Sequence, residues 1–337
     1  MLLIIDGNNV AWAGFHALRR PMGADTPEKK ARAAVLGLVQ GVTGLAARAG
    51  EPPDSNRRKA GQASMFDGKQ RRLSGLVVAF DQGRPLRRRG IYPAYQTGRE
   101  GDAAFAENEQ HVVGAIGWFL GLAASMPITV LRGENTEADD LIAAAVLQAG
   151  DAEVRIASTD KDFLQLVDGR VSIYATVKKL VIDEENFAGA ACPRDANGEP
   201  VVFPRERYLD YRVASGDASD DLPGIPGVGT LTAARLLADA PLEAYLDEPA
   251  RAGAVLGRRN ARLEAAFATG AARETVERNR ALMDLRLAAG GYTSLEPYAT
   301  PGAWREAEFR ARVREERVAG IDLETTVRAF EALAAAT

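Results

Sequence analysis

Short apolar runs alternate with longer amphipathic segments along the first half of the chain. Four runs rich in β-branched residues have the length and composition of buried strands: "LLIID", "LVVAFD", "EVRIAS" and "VSIYATV". Helical periodicity is expected between them, near residues 28–49, 103–125 and 138–149. Strands that alternate with long helices predict an α/β fold, with a mainly parallel central sheet flanked by helices.

Acidic residues follow three of these predicted strands. Asp6 ends the first strand, Asp81 follows the second, and Asp160 and Asp162 follow the third. Because ligands of parallel sheets bind beyond the carboxyl ends of the strands, we expect these carboxylates to lie together at one edge.

Two further acidic clusters enlarge this set, "NTEADDL" and "GDASDD". Crowded carboxylates raise one another's pKa values unless cations neutralise them, and Mg²⁺ and Mn²⁺ prefer oxygen ligands. The alternative is helix capping and turn formation, which is the better interpretation for Asp221. If a helix begins at Glu137, that residue and Asp140 share a face and Asp139 points elsewhere, unless the first turn is irregular. Taken as one set, the clusters favour a metal site.

Composition limits the chemistry. The chain has 337 residues, a net charge of −4, one cysteine (Cys192) and two histidines, so an intrachain disulfide and a cysteine-based zinc site are excluded. No apolar run resembles a signal peptide or a membrane span, and we expect a cytoplasmic protein with no membrane partner. Residues 57–99 hold eleven Lys or Arg against two Asp. This asymmetry indicates nucleic acid, with a solvated basic loop as the alternative.

Five motifs in this order carry a family resemblance: "IIDGNN", "VVAFDQGRPLRRRGIYPAYQTGR", "TEADDLIA", "IASTDKDFLQL" and "SGDASDDLPGIPGVGTLTAARLL". From about residue 1 to 290 the chain resembles the 5′-nuclease family of flap endonucleases and 5′ to 3′ exonucleases, within the PIN-like superfamily. The resemblance implies a site for two Mg²⁺ ions, for which Mn²⁺ can substitute. It implies a first ion held by Asp6, Asp81, Glu137 and Asp139, with Asp140 nearby, and a second by Asp160, Asp162, Asp217 and Asp220.

The resemblance also implies elements that bind DNA. The turn of a helix-turn-helix element, often with a K⁺ ion on its carbonyls, would contact the duplex through Gly224, Ile225, Gly227, Val228 and Gly229. A helical arch is expected near residues 92–115. The lysine that usually opens this arch is replaced by Gln96, so Arg99 would carry more of the contact with the scissile phosphate. The basic insertion 51–75 and four arginines would capture the flap: Arg84, Arg87, Arg88 and Arg89. Tyr95 is a candidate for base stacking, or else a core residue.

These observations predict a metal-dependent, structure-specific 5′-nuclease that hydrolyses branched or 5′-tailed DNA in replication or repair. Its expected domains are a nuclease core (1–185), a duplex-binding region (186–290) and a C-terminal helical extension (291–337). The expected partners are DNA with a 5′ flap or 5′ end, RNA–DNA hybrids and a replicative polymerase, and we expect a free-standing monomer. A DNA-binding protein with an impaired site, motivated by Gln96, and a PIN-type ribonuclease are the alternatives.

Overall fold

The fold is taken from a computed structural model that describes residues 1–50, 73–98, 103–255 and 260–336. Most of the predicted basic insertion, and Arg99, lie outside the described residues. Within those ranges, no helix combines the length and the apolar character needed to cross a bilayer.

Nine strands are found in the described part of the chain. They are β1 (Leu2–Asp6), β2 (Gly75–Ala79), β3 (Thr129–Leu131), β4 (Val154–Ala157), β5 (Val171–Ala175), β6 (Leu180–Ile182), β7 (Gly216–Asp217), β8 (Leu222–Pro223) and β9 (Ala299–Pro301). Seven of them form one sheet in the order β6-β5-β4-β1-β2-β3-β9, while β7 and β8 form a separate hairpin. The five central strands are parallel, and β6 and β9 are antiparallel at the two edges. The predicted fold class is therefore confirmed.

The helices of the described residues follow the three predicted segments closely, include two in the predicted C-terminal helical extension, and add others. They are α1 (Gly7–Arg19), α2 (Pro27–Gly50), α3 (Leu86–Ile91), α4 (Ala103–Ala123), α5 (Ala138–Gln148), α6 (Phe187–Ala191), α7 (Tyr208–Ser215), α8 (Thr230–Asp239), α9 (Leu242–Asp247), α10 (Pro249–Ala254), α11 (Ala261–Ala268), α12 (Gly270–Met283), α13 (Leu285–Ala289), α14 (Glu306–Glu315) and α15 (Leu323–Ala334). Short 3₁₀ turns occupy Asp162–Leu166, Arg205–Arg207, Ala218–Asp220 and Glu296–Tyr298.

Two hydrophobic layers cover the faces of the sheet. Strand β1 shows why: Leu3 and Ile5 point into one layer and Ile4 into the other, as the two-residue period of a strand requires. Helices α1, α2, α4, α14 and α15 form the first layer, and α5, α7, α8 and α12 belong to the second. Continuous apolar strands follow from this double burial.

Elements of the C-terminal part of the chain pack in the core against elements of its first half. Strand β9 pairs with β3, and α15 packs on α2, so the segment predicted as a C-terminal extension completes the sheet and one of its layers. Near the N-terminus, the chain passes from Asp6 directly into the first turn of α1. The Asp6 carboxylate accepts a hydrogen bond from the Asn9 amide and caps that helix.

Candidate metal centre

The carboxyl edge of the sheet opens into a cleft of about 660 Å³. Seven of the nine acids predicted as metal ligands line it: Asp6, Asp81, Glu137, Asp139, Asp160, Asp217 and Asp220. Three strands, the start of α5 and the hairpin region after α7 supply these residues. The prediction that strand ends and the two later clusters converge therefore holds for seven of the nine.

Asp6 lies deepest among these acids. Its carboxylate is buried and accepts hydrogen bonds from the Asn9 amide at 2.9 Å and from the Ser158 hydroxyl at 2.7 Å. Burial, reinforced by the charges of Asp160 and Asp81, raises the pKa of Asp6 to about 7 despite these two bonds. A carboxyl group held in this way gains most from a nearby cation.

Asp81 connects two neighbouring elements. Its amide donates to the Asn8 side-chain oxygen at 2.9 Å, and its carboxylate accepts from the Ala138 amide at 2.7 Å. The second contact caps α5 from outside, since the residue before that helix makes no side-chain cap of its own. Asn8 thus joins the end of β2 to the start of α1, a role for "DGNN" that sequence reasoning missed.

The three acids at the start of α5 and just before it lie in two different environments. Glu137 precedes the helix in an extended conformation, so it and Asp139 both reach the cleft. Asp140 instead lies buried against Arg88, whose guanidinium donates to it at 2.7 Å. The prediction of Asp140 as a metal ligand is corrected accordingly, because its carboxylate belongs to a buried ion pair.

The position of Arg88 contradicts its predicted role in DNA binding. It is only 3% exposed, and it bonds to Glu137 as well as to Asp140, so it does not offer a surface to DNA. Burial raises the pKa of Glu137 to about 7, although the charge of Arg88 acts in the opposite direction. Arg84 and Arg89 line the cleft, and the side chain of Arg87 is 44% exposed.

Tyr95 is a core residue and the stacking prediction for it is wrong. It is 5% exposed, its ring lies 6.0 Å from the Arg88 guanidinium, and its hydroxyl is 3.4 Å from Glu137. The following residue, Gln96, adopts the left-handed conformation with φ of 55°. Its side-chain amide donates to Asp220 at 2.9 Å and to the Tyr95 hydroxyl at 3.1 Å, and it lines the cleft.

A compact carboxylate cluster lies at one side of the cleft. Asp162, Asp217 and Asp220 each offer one oxygen, and these oxygens lie within 4.8 Å of one another. The Asp162 amide donates to Asp160 at 2.8 Å and ties that residue to the group. Such an oxygen-only set fits a hard divalent cation, and no imidazole or thiolate is needed.

Arg212 of α7 enters the same cluster, and sequence reasoning missed it. Its guanidinium contacts Asp162 at 2.7 Å and also donates to Asp217. Burial, partly offset by Arg212, raises the pKa of Asp162 to about 6. Although burial opposes it, hydrogen bonds from Ser219 and the charge of Arg212 lower the pKa of Asp217. The available signal was a lone cation in the amphipathic run "YLDYRVAS", five residues before Asp217.

The predicted duplex-binding turn connects α7 to α8. The side chains of Ile225 and Val228 are buried in the core, so only backbone atoms of these two residues can face a ligand. Gly224 is required by packing, since a Cβ there would lie 2.4 Å from the Ala214 carbonyl oxygen. Gly227 has φ of 81° and open surroundings, and Gly229, also in the open, precedes α8 without a side-chain cap. Packing therefore explains the glycine at 224, whereas Gly227 and Gly229 have open surroundings.

Asp221 adopts the left-handed conformation with φ of 57°, as its interpretation as a turn residue requires. Its carboxylate accepts from the Gly98 amide at 2.8 Å and holds the segment that carries Gln96 against the hairpin.

The site is an acidic cleft at the carboxyl edge of a mainly parallel, helix-covered sheet, which defines an α/β protein with a candidate metal centre. Residues 1–191 match the family model described as 5′-3′ exonuclease, N-terminal resolvase-like domain. The chain belongs to this 5′-3′ exonuclease family.

Known relatives agree with this assignment. The chain is 30% identical over 240 residues to the thermostable DNA polymerase I of Thermus filiformis, which covers 71% of the chain and 24% of the relative. It is 34% identical over 217 residues to DNA polymerase I of Mycobacterium bovis, covering 62% and 21%. The chain thus spans about a quarter of the length of these polymerases. Its fold resembles the bacteriophage T5 D15 flap endonuclease solved with DNA and metal ions, with a TM-score of 0.59 and 17% identity over 94% of this chain and 99% of that one.

Proposed function

We propose that the protein is a metal-dependent, structure-specific 5′-nuclease that hydrolyses phosphodiester bonds in DNA with a 5′ flap or a 5′ end. The observation that carries the proposal is the acidic cleft, in which seven carboxylates surround an open volume. Two of them, Asp217 and Asp220, converge with Asp162 beside the cleft, and one oxygen of each lies within 4.8 Å of the others. Membership of the 5′-3′ exonuclease family supports the same reaction.

The donor set favours Mg²⁺, with Mn²⁺ as a substitute, because every candidate ligand is a carboxylate oxygen. We assign two ions to the cleft. Asp6, Asp81, Glu137 and Asp139 would hold the first, and Asp160, Asp162, Asp217 and Asp220 the second. Two bound ions would orient the attacking water and stabilise the attacking and leaving oxygens.

Other groups of the chain would position the substrate. Arg84 and Arg89 line the same cleft as the carboxylates and would bind backbone phosphates. Gln96 lines it too, and its amide offers a neutral hydrogen bond where a lysine would offer a charge. The exposed backbone at Gly227 and Gly229 would contact a duplex phosphate, and a K⁺ ion on the carbonyls of this turn would strengthen that contact.

The substrate class follows from the relatives and from the site. The T5 structure of similar fold is described as a product complex with DNA, and the curated relatives are DNA polymerases. We therefore propose flaps, DNA 5′ ends and RNA–DNA hybrids as substrates, a replicative polymerase as a partner, and a monomeric enzyme. A binding protein without activity is not favoured, because seven predicted acids line the cleft.

A labelled 5′-flap duplex tests the proposal. Cleavage near the junction is expected with Mg²⁺ or Mn²⁺ and should stop in EDTA. Asp81→Asn should reduce the rate by at least about a hundredfold. Asp195→Asn is the matched control, since Asp195 lies in a surface turn that does not line the cleft. Full cleavage in EDTA would refute metal dependence. A gel shift in Ca²⁺ without any cutting in Mg²⁺ would instead favour the binding protein.

A further inference from the structure

Arg212 introduces a positive charge among the ligands assigned to the second metal ion. Its guanidinium contacts Asp162 and Asp217, two of the three acids whose oxygens converge within 4.8 Å. Its side chain is 13% exposed and the partner side chains are 17% and 13% exposed. The ion pairs are therefore largely shielded from water, and salt screens them weakly.

The position of Arg212 is set by a packed helix. It projects from α7, which contacts α12 and α8, and the main-chain carbonyl of Val213 accepts a hydrogen bond from the buried Asn279 side chain at 3.0 Å. The third acid, Asp220, is held separately by Gln96 at 2.9 Å. The guanidinium is thus anchored on the same scaffold as the acids that it bridges.

We propose that Arg212 is a built-in counter-cation that stabilises the metal-free second site and weakens its affinity for a divalent ion. The four acids assigned to the second ion and one guanidinium carry a net charge of −3, so one divalent ion leaves one negative charge uncompensated instead of two. The guanidinium also occupies an oxygen of Asp162 and one of Asp217 that a metal would otherwise use. Arg212 is a positioning residue, and the inference rests on the proposed function.

This arrangement predicts opposite effects on two measurable properties. Removing the charge exposes the acids to mutual repulsion, so the metal-free protein should lose stability. The same change removes the repulsion between a unit charge and a divalent ion a few ångströms apart, so the second ion should bind at least about tenfold more tightly. A purely structural arginine would give the first effect without the second.

The experiment titrates the full chain with Mn²⁺, without DNA, and follows unbound Mn²⁺ by its electron paramagnetic resonance signal. Wild type should bind two ions, one tightly and one weakly. Arg212→Gln should tighten the weak site at least about tenfold and lower the melting temperature in EDTA. Arg212→Lys keeps the charge and should restore an affinity within about threefold of wild type. Should Arg212→Gln fail to fold without metal, it is refolded in Mn²⁺ and its dissociation constants are obtained by competition with a chelator.

Arg280→Gln is the matched control. Arg280 of α12 pairs at 2.6 Å with Asp210, which lies on α7 as Arg212 does. Its loss perturbs α7 without removing charge from the cluster, so both Mn²⁺ affinities should be unchanged. An unchanged or weaker second site in Arg212→Gln would overturn the inference while leaving the proposed function intact. If wild type binds no Mn²⁺ at all, the proposed metal dependence fails and the inference falls with it.

Discussion

Replacing Arg88 by methionine should destabilise the protein far more than the same change at its neighbour Arg87. Arg88 is buried and donates to the Leu282 carbonyl at 2.9 Å and to Asp140 at 2.7 Å, in addition to its bond with Glu137. Methionine matches the aliphatic stem of arginine but lacks its guanidinium, so both carboxylates and one carbonyl lose this donor.

The expected cost follows from these contacts. Removing one partner of a buried ion pair costs about 3–5 kcal/mol, because the remaining charge stays desolvated. Two acids lose their partner here, and their side chains are only 16% and 5% exposed, so we expect about 4 kcal/mol at pH 8. At pH 6 Glu137 can take up a proton in the folded state, because burial raises its pKa, and the cost should fall by about 1–2 kcal/mol.

Urea unfolding in EDTA measures both values. Arg87→Met is the control, because that side chain is 44% exposed and its nitrogen lies 3.8 Å from Asp140, and it should cost no more than about 0.5 kcal/mol. The double variant Arg88→Met/Asp140→Leu should be more stable than Arg88→Met alone. A loss below about 1 kcal/mol for Arg88→Met at pH 8, or a loss that grows on acidification, would refute this account of the buried pair.

Three further predictions concern the cleft and its surroundings. Burial raises the pKa values of Asp6 and Glu137 to about 7, above their unfolded values, so the metal-free protein should become less stable as the pH rises from 5 to 8. Mg²⁺ should therefore raise the melting temperature more at pH 8 than at pH 6. Thermal melts that show the opposite trend would contradict this. Gly224→Ala should cost about 1–3 kcal/mol, since the new Cβ would meet the Ala214 carbonyl oxygen, whereas Gly229→Ala has open space and should melt within about 2 °C of wild type. Gln96→Lys should raise the cleavage rate on a 5′ flap on the order of tenfold, because a charged donor replaces a neutral one, and an unchanged single-turnover rate would show that this position does not contact the reacting phosphate.

The sheet was predictable from the sequence because its central strands are buried on both faces. The first four residues of β1 are apolar, and Asp6 marks the end where the chain leaves the core. The short strands were not predicted: the edge strands β6 and β9, and the inner strand β3, have three residues each, which is too short for a periodic signal. Strand β9 forms only because a distant part of the chain, β3, offers its edge.

The site, like the sheet, was predictable from the sequence only in part. The seven acids that line the cleft were identified because their position after strands, and their grouping, are properties of the chain itself. The partners of the acids were not predicted from the sequence. Asp140 and Asp139 are adjacent in sequence, and only the position of Arg88 shows that the first forms a buried ion pair while the second lines the cleft. The sequence left Tyr95 open between base stacking and the core for a related reason, because its burial depends on contacts with Arg88 and Glu137 from other elements.

The two arginines that sequence reasoning misread or missed address one physical problem. Nine acids at a sheet edge would oppose folding before any metal binds, through repulsion and desolvation together. Arg88 bridges Glu137 and Asp140 on one side of the cleft, and Arg212 bridges Asp162 and Asp217 on the other. Arg88 joins two carboxylates at the start of one helix, α5. Arg212 joins two carboxylates from different parts of the chain. The fold therefore compensates part of its acidic edge from within. Burial raises the pKa values of Asp6 and Asp139, so these two acids gain most from an added cation.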